Sequence, residues 1–332
     1  GFGSIFTDHM LLINYDEGQG WHDARIVPYG PIALDPAAMC LHYGQSVFEG
    51  MKAYRHGDDI LLFRPDENFK RLNNSNDRLC IPKMDEQLLM DSLVELLKVE
   101  KDWIPHAQGA SLYIRPFILA TEAKLGVKPS DSYLYLVILS PSGNYYPEGL
   151  NPVKIYVETE YVRAVKGGTG TAKTPGNYAA SLKAQDIAHK LNYTQVLWLD
   201  GVHRKYIEEV GTMNVFFMLG DTVVTPVLDG SVLPGITRKS TIELLQEWGI
   251  KVEERKLSLE EVMEAGRNGQ LVEAFGTGTA AVISPIGELH CGKEEVVING
   301  GKIGPITHKL YDTLTGIQWG NIEGPKGWSV RI

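Results

Sequence analysis

The sequence contains little cysteine and no long hydrophobic run. Three cysteines, Cys40, Cys80 and Cys291, lie far apart among 332 residues and form no CxxC or other spacing typical of metal ligands. We therefore expect no disulfide framework and no metal site, and a reducing compartment. No stretch of about eighteen apolar residues occurs, and the first residues show no basic segment followed by an apolar one. A soluble, cytoplasmic protein without a membrane partner is expected.

Positive charge is also scarce. Lys and Arg total 32 against 41 Asp and Glu, which gives a formal net charge of −9. Such a chain repels nucleic acids and anionic lipids on average, so an anion that it binds must meet a local positive site. The hydrophobic fraction of 43% and the charged fraction of 22% are typical of a globular protein. The length allows two domains.

Hydrophobic periodicity and turn residues predict a mixture of strands and helices. In the first part of the chain they predict a hairpin over 10–29, a second hairpin with strands at 47–54 and 60–63, helices at 65–79 and 86–100, and strands at 111–120 and 132–139. In the later part they predict strands at 154–162, 195–199, 214–219, 223–225, 251–256, 271–274 and 281–284, and helices at 178–191, 236–248, 259–265 and 306–314.

Turn-forming residues concentrate between Pro141 and Pro152. We therefore predict a domain at 1–141, a linker at 142–152 and a domain at 153–332. Hairpins precede helices in the first domain, and strands alternate irregularly with helices in the second. This order favours an α+β fold over a doubly wound sheet.

The most unusual segment is the loop from Lys166 to Tyr178, because its small residues allow the backbone to approach a ligand closely around Lys173. It resembles a P-loop, but Ala172 stands where that motif needs its second glycine, and Pro175 follows where a helix should continue. A nucleotide-hydrolysing protein is thus a weak alternative. A flexible surface loop with a solvated lysine is the other.

Two further segments are candidate anion sites. The residues at 233–238 begin a predicted helix, where free N–H groups and the helix dipole can hold a phosphate. The residues at 276–281 form a small-residue turn with threonine hydroxyls beside backbone donors. A helix cap and a tight turn are the simpler explanations of these two segments.

Two charged residues have surroundings that suggest burial. Alternation between strand-like segments turns either Glu208 or Glu209 inward, where a carboxylate needs a partner such as a protonated ring nitrogen. The alternative is an exposed acidic pair. Arg115 is flanked by apolar and aromatic residues, so it is either a structural ion pair or a receptor for a carboxylate.

Seven motifs occur together in one order along the chain. They are FTDHM at 6–10, LHYGQSVFEG at 41–50, YIRP at 113–116, GNY at 176–178, EVGTMN at 209–214, LPGITR at 233–238 and GTAA at 278–281. In this set the chain resembles the fold-type IV pyridoxal-phosphate enzymes, and among them the branched-chain amino acid aminotransferases. The resemblance runs from beginning to end. It implies a smaller N-terminal α/β domain and a larger C-terminal mixed α/β domain of pseudo-barrel form.

The resemblance implies a role for each matching residue. Lys173 would be the Schiff-base lysine for pyridoxal 5′-phosphate, and Glu209 the partner of the pyridine nitrogen. Tyr178 would bind the phenolic oxygen. Residues implied at the phosphate are Arg71, Ile236, Thr237 and Thr279.

The implied reaction is transamination between leucine, isoleucine or valine and 2-oxoglutarate, which gives branched-chain 2-oxo acids and glutamate. Tyr113 with the N–H groups of Thr279 and Ala280 would hold the α-carboxylate. The implied side-chain pocket comprises Phe48, Tyr145, Tyr178, Thr212 and Phe2. Arg115 with Tyr43 of a partner subunit would hold the γ-carboxylate of glutamate, and Tyr43, Leu125 and Val127 would enter the partner's site of a homodimer.

The chain departs from the family at one site, and three alternative functions remain to be weighed against the implied one. Mammalian members carry a CxxC redox pair just after the Gly-Thr-Ala run, where this chain has Ala281 and Ser284, so we expect no thiol regulation of that kind. D-amino acid aminotransferases and aminodeoxychorismate lyases share the implied cofactor residues, but YIRP and GTAA favour the branched-chain enzymes. A noncatalytic binding protein on this scaffold is the third competitor.

Overall fold

The computed structural model describes residues 2–145 and 149–332. The chain divides into two compact units. The first comprises Gly1–Pro147, Ala172–Pro175 and Gly316–Ile332, and the second comprises Glu148–Thr171 and Gly176–Thr315. Two segments of the first unit therefore follow the predicted linker in sequence. The boundaries 1–141, 142–152 and 153–332 stay a prediction, and residues 146–148 of that linker lie outside the described residues.

The described residues form seventeen strands and eight α-helices. The strands are β1 (His9–Asp16), β2 (Gly20–Pro28), β3 (Ser46–Phe48), β4 (Met51–His56), β5 (Asp59–Phe63), β6 (Ser111–Ala120), β7 (Ser132–Ser142), β8 (Val153–Val157), β9 (Gln195–Leu199), β10 (Ile207–Val210), β11 (Asn214–Leu219), β12 (Thr222–Pro226), β13 (Lys251–Arg255), β14 (Leu271–Gly278), β15 (Val282–Cys291), β16 (Glu294–Val297) and β17 (Ser329–Arg331). The helices are α1 (Met39–Tyr43), α2 (Pro65–Arg78), α3 (Glu86–Val99), α4 (Pro175–Ala179), α5 (Leu182–Lys190), α6 (Ile236–Glu247), α7 (Leu259–Arg267) and α8 (Pro305–Gln318).

The first unit is built on an antiparallel sheet of eight strands. Their order is β17-β5-β4-β6-β7-β1-β2, and β3 also pairs with β6. Helices α2 and α3 cover a core to which α3 contributes four fully buried leucines, Leu89, Leu93, Leu96 and Leu97. Their helical spacing is the amphipathic pattern that predicted the helix. Asp85 caps α3 by accepting a hydrogen bond from the Leu88 N–H.

The strand predicted over 47–54 is wrong in one respect, because it is interrupted after Phe48. β3 ends there, β4 begins at Met51, and Glu49 and Gly50 lie between them. A Cβ atom on Gly50 would lie 2.2 Å from the Tyr113 hydroxyl oxygen. The chain can therefore pass this close to Tyr113 only with glycine at position 50.

The second unit contains a mixed sheet of nine strands. Their order is β10-β9-β8-β15-β14-β11-β12-β13, and β16 pairs with β15. The pairs β8/β9, β8/β15 and β12/β13 are parallel, and the other pairs are antiparallel. Helices α6 and α7 pack against β14. Both the parallel pairs and the irregular order agree with the expected mixed α+β class.

Several predicted elements of the second unit differ from the structure. The strand predicted at 154–162 stops at Val157, because the Glu158 carboxylate accepts the N–H groups of Glu160 and Tyr161 and turns the chain. The helix predicted at 178–191 is split into α4 and α5. The Ser181 hydroxyl donates to the Tyr178 carbonyl at the break, which competes with helical hydrogen bonding. Strands β10, β16 and β17 and helix α1 were not predicted.

Across residues 2–145 and 149–332, none of the helices combines the length and the apolar character that a membrane crossing requires.

Candidate active site

Lys173 belongs to the first unit and is held through its backbone. Its N–H donates to the Ser75 hydroxyl at 2.9 Å, and its carbonyl accepts the Phe48 N–H at 3.0 Å. The Nζ atom lies 4.8 Å from the centre of the Phe48 ring. Burial, followed by the nearby charge of Arg71, lowers the pKa of Lys173 to about 8. At pH 7 most of this amine is still protonated, but its neutral fraction is far larger than that of an exposed lysine.

Helix α2 supplies a buried polar face beside this lysine. Asn68, Arg71 and Ser75 lie three and four residues apart, so they share one side of the helix. Arg71 donates from Nε and Nη2 to the two carboxylate oxygens of Glu49, each at 2.8 Å. Asn68 donates to the same carboxylate at 2.8 Å. The predicted phosphate residue Arg71 is therefore fixed by Glu49, to which sequence reasoning gave no role.

Strand β6 places Tyr113 and Arg115 on one face, since they are two residues apart. Arg115 Nη2 donates to the Tyr113 hydroxyl at 3.0 Å. The guanidinium carbon lies 4.7 Å from the centre of the Phe48 ring and 5.3 Å from that of Tyr113, so the cation stacks on aromatic faces. Among the described residues no carboxylate lies within ion-pair distance of Arg115, and its buried Nε has no hydrogen-bond partner.

Both glutamates of β10 are buried, Glu208 at 6% exposure and Glu209 at 3%. The alternative of an exposed acidic pair is therefore wrong, because both faces of this strand are covered. Glu209 accepts the Leu233 N–H at 2.8 Å, and its second oxygen lies 3.3 Å from Arg163 Nε in an ion pair. Glu208 accepts a hydrogen bond from the Ser231 hydroxyl, and burial raises its pKa.

Arg163 is a buried residue that sequence reasoning missed. It is 8% exposed, pairs with Glu209 and donates to the Ser231 carbonyl. The signal in the sequence is weak, since a single arginine between a valine and an alanine is common. The residue that it contacts is distant along the chain, and only the fold brings the two together.

The first candidate anion segment of the second unit lies at the start of α6. Gly235 is the N-cap and provides no side-chain cap, so the first N–H groups of the helix are left to other partners. A Cβ atom on Gly235 would lie 2.0 Å from Asn214 Oδ1, which explains the glycine. Thr237 in the first turn is 6% exposed. The position of this segment at the start of a helix, together with its small residues, is suited to binding an anion.

The second segment follows β14. The strand ends at Gly278, Thr279 and Ala280 form the turn, and Val282 has a φ of 62°. Within residues 2–145 and 149–332, the buried hydroxyl of Thr277 has no hydrogen-bond partner. A buried hydroxyl without a partner is costly unless a ligand satisfies it.

The remaining predicted site residues are divided between the two units. Tyr178 lies in α4, and Thr212 lies in the turn between β10 and β11. Residues predicted to line the pocket or to enter a partner's site are exposed in the first unit: Phe2 at 56%, Tyr43 at 42%, Leu125 at 72%, Val127 at 87% and Tyr145 at 51%. Phe2 packs edge-on against Tyr113 with ring centres 4.9 Å apart.

The structure also bears on the P-loop alternative. A P-loop lysine and threonine open a long helix, but here Lys173 and Thr174 precede α4, which has five residues. The Thr174 hydroxyl donates to the Ser46 carbonyl at 2.8 Å, so it is used within the fold. The geometry therefore disfavours nucleotide hydrolysis.

Comparison with known proteins identifies the relatives of the chain. Residues 46–289 match the family model of class IV aminotransferases. The chain is 59% identical over 332 residues to "Branched-chain-amino-acid aminotransferase 2" of Bacillus subtilis (strain 168), a match that covers 100% of this chain and 92% of the relative. It is 51% identical to the branched-chain-amino-acid aminotransferase of Mycobacterium tuberculosis, with coverage of 100% and 92%.

Solved structures give the same result. The fold matches the Escherichia coli branched-chain amino acid aminotransferase with a TM-score of 0.80 at 28% identity, over 97% of this chain and 98% of that one. It matches the branched-chain aminotransferase of Thermoproteus uzoniensis, solved with norvaline, with a TM-score of 0.79 at 25% identity, over 97% and 99%. The expected fold-type IV architecture is confirmed. The chain belongs to the class IV aminotransferases, a family whose members use pyridoxal phosphate, and within it to the branched-chain amino acid aminotransferases.

Proposed function

We propose that the protein transfers the amino group between leucine, isoleucine or valine and 2-oxoglutarate, and that Lys173 binds pyridoxal 5′-phosphate covalently. The observation that carries this proposal is the environment of Lys173, an amine whose pKa is lowered to about 8 beside the buried pair Arg71 and Glu49. Membership of the branched-chain group supports the choice of substrates.

The residues present fit this cofactor. The aldehyde needs a neutral amine, and the lowered pKa of Lys173 enlarges its neutral fraction. The ring nitrogen needs a fixed carboxylate, and Glu209 is buried and held by two partners. The phosphate needs cationic and N–H donors, for which Arg71 and the first turn of α6 are suited. The buried Thr277 hydroxyl without a partner is a further donor. When bound, pyridoxal phosphate supplies the electron sink for the carbanion.

Lys173 performs two steps in this proposal. Its Nζ would hold the cofactor through the aldehyde carbon, and the same Nζ, once free, would hold the proton of the substrate Cα. A shift of the pKa from 10.5 to about 8 raises the neutral fraction at pH 7 by ~300-fold. The lowered pKa therefore prepares the lysine for both steps.

Glu209 keeps a proton on the ring nitrogen. A carboxylate beside that nitrogen favours its protonated form, and the Leu233 N–H and Arg163 hold Glu209 in place. Tyr178 would hold the phenolic oxygen, and Ile236, Thr237 and Thr279 would complete the phosphate site with Arg71.

The substrate groups are assigned to the remaining residues. Tyr113, with the N–H groups of Thr279 and Ala280, would hold the α-carboxylate. Phe48, Tyr145 and Thr212 would line the side-chain pocket. Arg115, stacked on aromatic rings without a carboxylate among the described residues, would receive the γ-carboxylate of glutamate.

The proposal includes a homodimer in which each subunit completes its partner's site. Tyr43, Leu125 and Val127 are the residues assigned to the partner's site, and their side chains are exposed, as a contact with a partner subunit requires. Tyr43 would assist Arg115 across the interface.

The experiment is reconstitution followed by location of the bound lysine. The full chain is incubated with pyridoxal phosphate, its visible absorbance is recorded, and borohydride reduction followed by peptide mass spectrometry identifies the modified residue. We expect modification of Lys173, and transamination of leucine but not of D-alanine. Lys173→Ala should fold and retain the cofactor only noncovalently, without turnover. A modified lysine elsewhere, or preference for D-alanine, would refute the proposal.

A further inference from the structure

Glu49 is completely buried, yet the proposed function gives it no task. Its carboxylate accepts hydrogen bonds from Arg71 Nε, Arg71 Nη2, Asn68 Nδ2 and the Gly50 N–H, the last at 3.3 Å. A buried carboxylate is costly unless it is paired and fully bonded. Here four donors satisfy it, and two of them belong to one guanidinium.

We propose that Glu49 is a positioning residue, which fixes the edge of Arg71 that faces the cofactor phosphate and sets the charge around Lys173. The inference deepens the proposed function and rests on it. It concerns residues of the first unit alone.

The geometry of the pair supports the positioning role. Glu49 covers the edge of the planar guanidinium that carries Nε and Nη2, with both distances at 2.8 Å, so the opposite edge with Nη1 points away from the carboxylate. A bidentate contact fixes the plane as well as the place of an arginine. Asn68, one helical turn before Arg71, holds Glu49 from the same helix. A phosphate that reaches Arg71 thus meets a donor that is already oriented.

The charges around Lys173 support the second part. Arg71 and Arg115 lower the pKa of Lys173, whereas Glu49 and Tyr113 raise it. Glu49 is the carboxylate in this set, and it opposes two guanidinium groups. Removal of its charge would leave a buried arginine without compensation and would push the lysine further toward its neutral form.

Backbone contacts couple Glu49 to the reactive lysine. The preceding residue, Phe48, donates its N–H to the Lys173 carbonyl at 3.0 Å, and Glu49 itself donates its N–H to the Pro116 carbonyl at 2.8 Å. Gly50, which follows, lies against the Tyr113 hydroxyl. The interruption between β3 and β4 is therefore a fixed junction, and Glu49 cannot shift without disturbing the residues beside it.

The first experiment separates orientation from charge. Glu49→Asp keeps the charge but draws the carboxylate back by one methylene group. For each full-length chain without cofactor we measure the affinity for pyridoxal phosphate and for pyridoxal, which lacks the phosphate. The affinity ratio is the affinity for pyridoxal phosphate divided by that for pyridoxal. We expect this ratio to fall about tenfold in Glu49→Asp, which is the loss typical of one charge-assisted hydrogen bond. Glu100→Gln, which changes another buried carboxylate of the first unit, should leave the ratio unchanged.

The second experiment tests the effect of the Glu49 charge on the protonation of Lys173. Pyridoxal addition to Lys173 is trapped with borohydride and quantified by mass spectrometry as a function of pH. The midpoint should move to lower pH in Glu49→Gln and stay unchanged in Glu49→Asp and Glu100→Gln. Circular dichroism checks that each variant is folded, and the aspartate variant still tests the orientation if the glutamine variant does not fold.

The outcomes are decisive. An unchanged affinity ratio in Glu49→Asp, or an equal loss for both ligands, would show a merely structural role and overturn the proposal. A midpoint in Glu49→Gln that stays or rises would overturn its electrostatic part. If the wild-type chain forms no adduct on Lys173, the proposed function is wrong, whereas the affinity ratio still tests the action of Glu49 on Arg71.

Discussion

Replacement of Arg115 by glutamine should affect the two substrates unequally. The guanidinium lies over the rings of Phe48 and Tyr113 and donates to the Tyr113 hydroxyl. Its buried Nε has no hydrogen-bond partner in the described part of the chain. Such an arginine has unused capacity for a carboxylate. In the proposed function that carboxylate is the γ-carboxylate of glutamate or 2-oxoglutarate, and an aliphatic side chain has no group that could take its place.

The expected magnitude follows from the bond that is lost. A hydrogen bond to a charged group contributes about 1.5–3 kcal/mol, and each ~1.4 kcal/mol is a factor of ten. Arg115→Gln should therefore weaken glutamate and 2-oxoglutarate by one to two orders of magnitude. For leucine only the packing of the guanidinium against Phe48 is lost, about 0.5–1 kcal/mol, so its loss should be about two- to fivefold.

Single-turnover kinetics separate the two effects. The form of the enzyme loaded with pyridoxal phosphate is mixed with leucine in one series and with glutamate in another, and the spectral change of the cofactor is followed at increasing substrate concentration. The ratio of the two apparent second-order rate constants is compared between wild type and Arg115→Gln. This ratio cancels any difference in the fraction of active enzyme.

Arg115→Met is the matched control. It removes the charge but retains an unbranched apolar side chain for contact with the rings, so it should reproduce the selective loss of glutamate. Equal losses for leucine and glutamate in both variants would refute the reasoning. Arg115 would then stabilise the pocket, and the γ-carboxylate would need another receptor.

Three further predictions concern the remaining groups. Glu209→Gln should lower the rate of the chemical step severely, whereas Glu208→Gln should be mild, since only the former is assigned to the ring nitrogen; the reverse order would identify the wrong face of β10. In the chain without cofactor, trapped addition of pyridoxal to Lys173 should rise with pH through a midpoint near 8, because the lowered pKa frees the amine there; a midpoint near 10 would contradict the burial argument. Mild peroxide should not inhibit reversibly, because alanine and serine occupy the places of the redox pair and burial raises the pKa of two of the three thiols; recovery of lost activity by a thiol reductant would count against this.

Local sequence patterns predicted those elements in which the hydrophobic pattern is strong. Strand β6 and helix α3 have strong alternation or leucine spacing, and the predicted bounds agree within one residue. β10 was missed because it is short, carries two glutamates and is buried on both faces. Its burial depends on partners such as Ser231 and Leu233, which only the fold supplies.

The candidate site likewise has a part that the sequence indicates and a part that only the fold reveals. The loop around Lys173 could be singled out because a lysine among glycines and threonines is unusual. The contacts that determine its chemistry join distant segments, namely Phe48 at the end of β3, Ser75 in α2 and Arg115 in β6. No periodicity encodes such contacts. The resemblance in motifs therefore suggested roles that spacing alone did not. It left out Glu49 and Arg163, whose contacts are visible only in three dimensions.

Helix α2 shows that a helix face made of polar residues can be buried. The helix contains four asparagines and one serine, residue types that are mostly exposed in proteins, but Asn68, Arg71 and Ser75 are all buried. Burial of these groups is favourable only when partners satisfy them. Here the partners are Glu49 and the backbone of Lys173. A helix with such a face stabilises the fold less than a helix with a leucine face would. In the proposed function, the gain is the fixed orientation of Arg71 and Lys173.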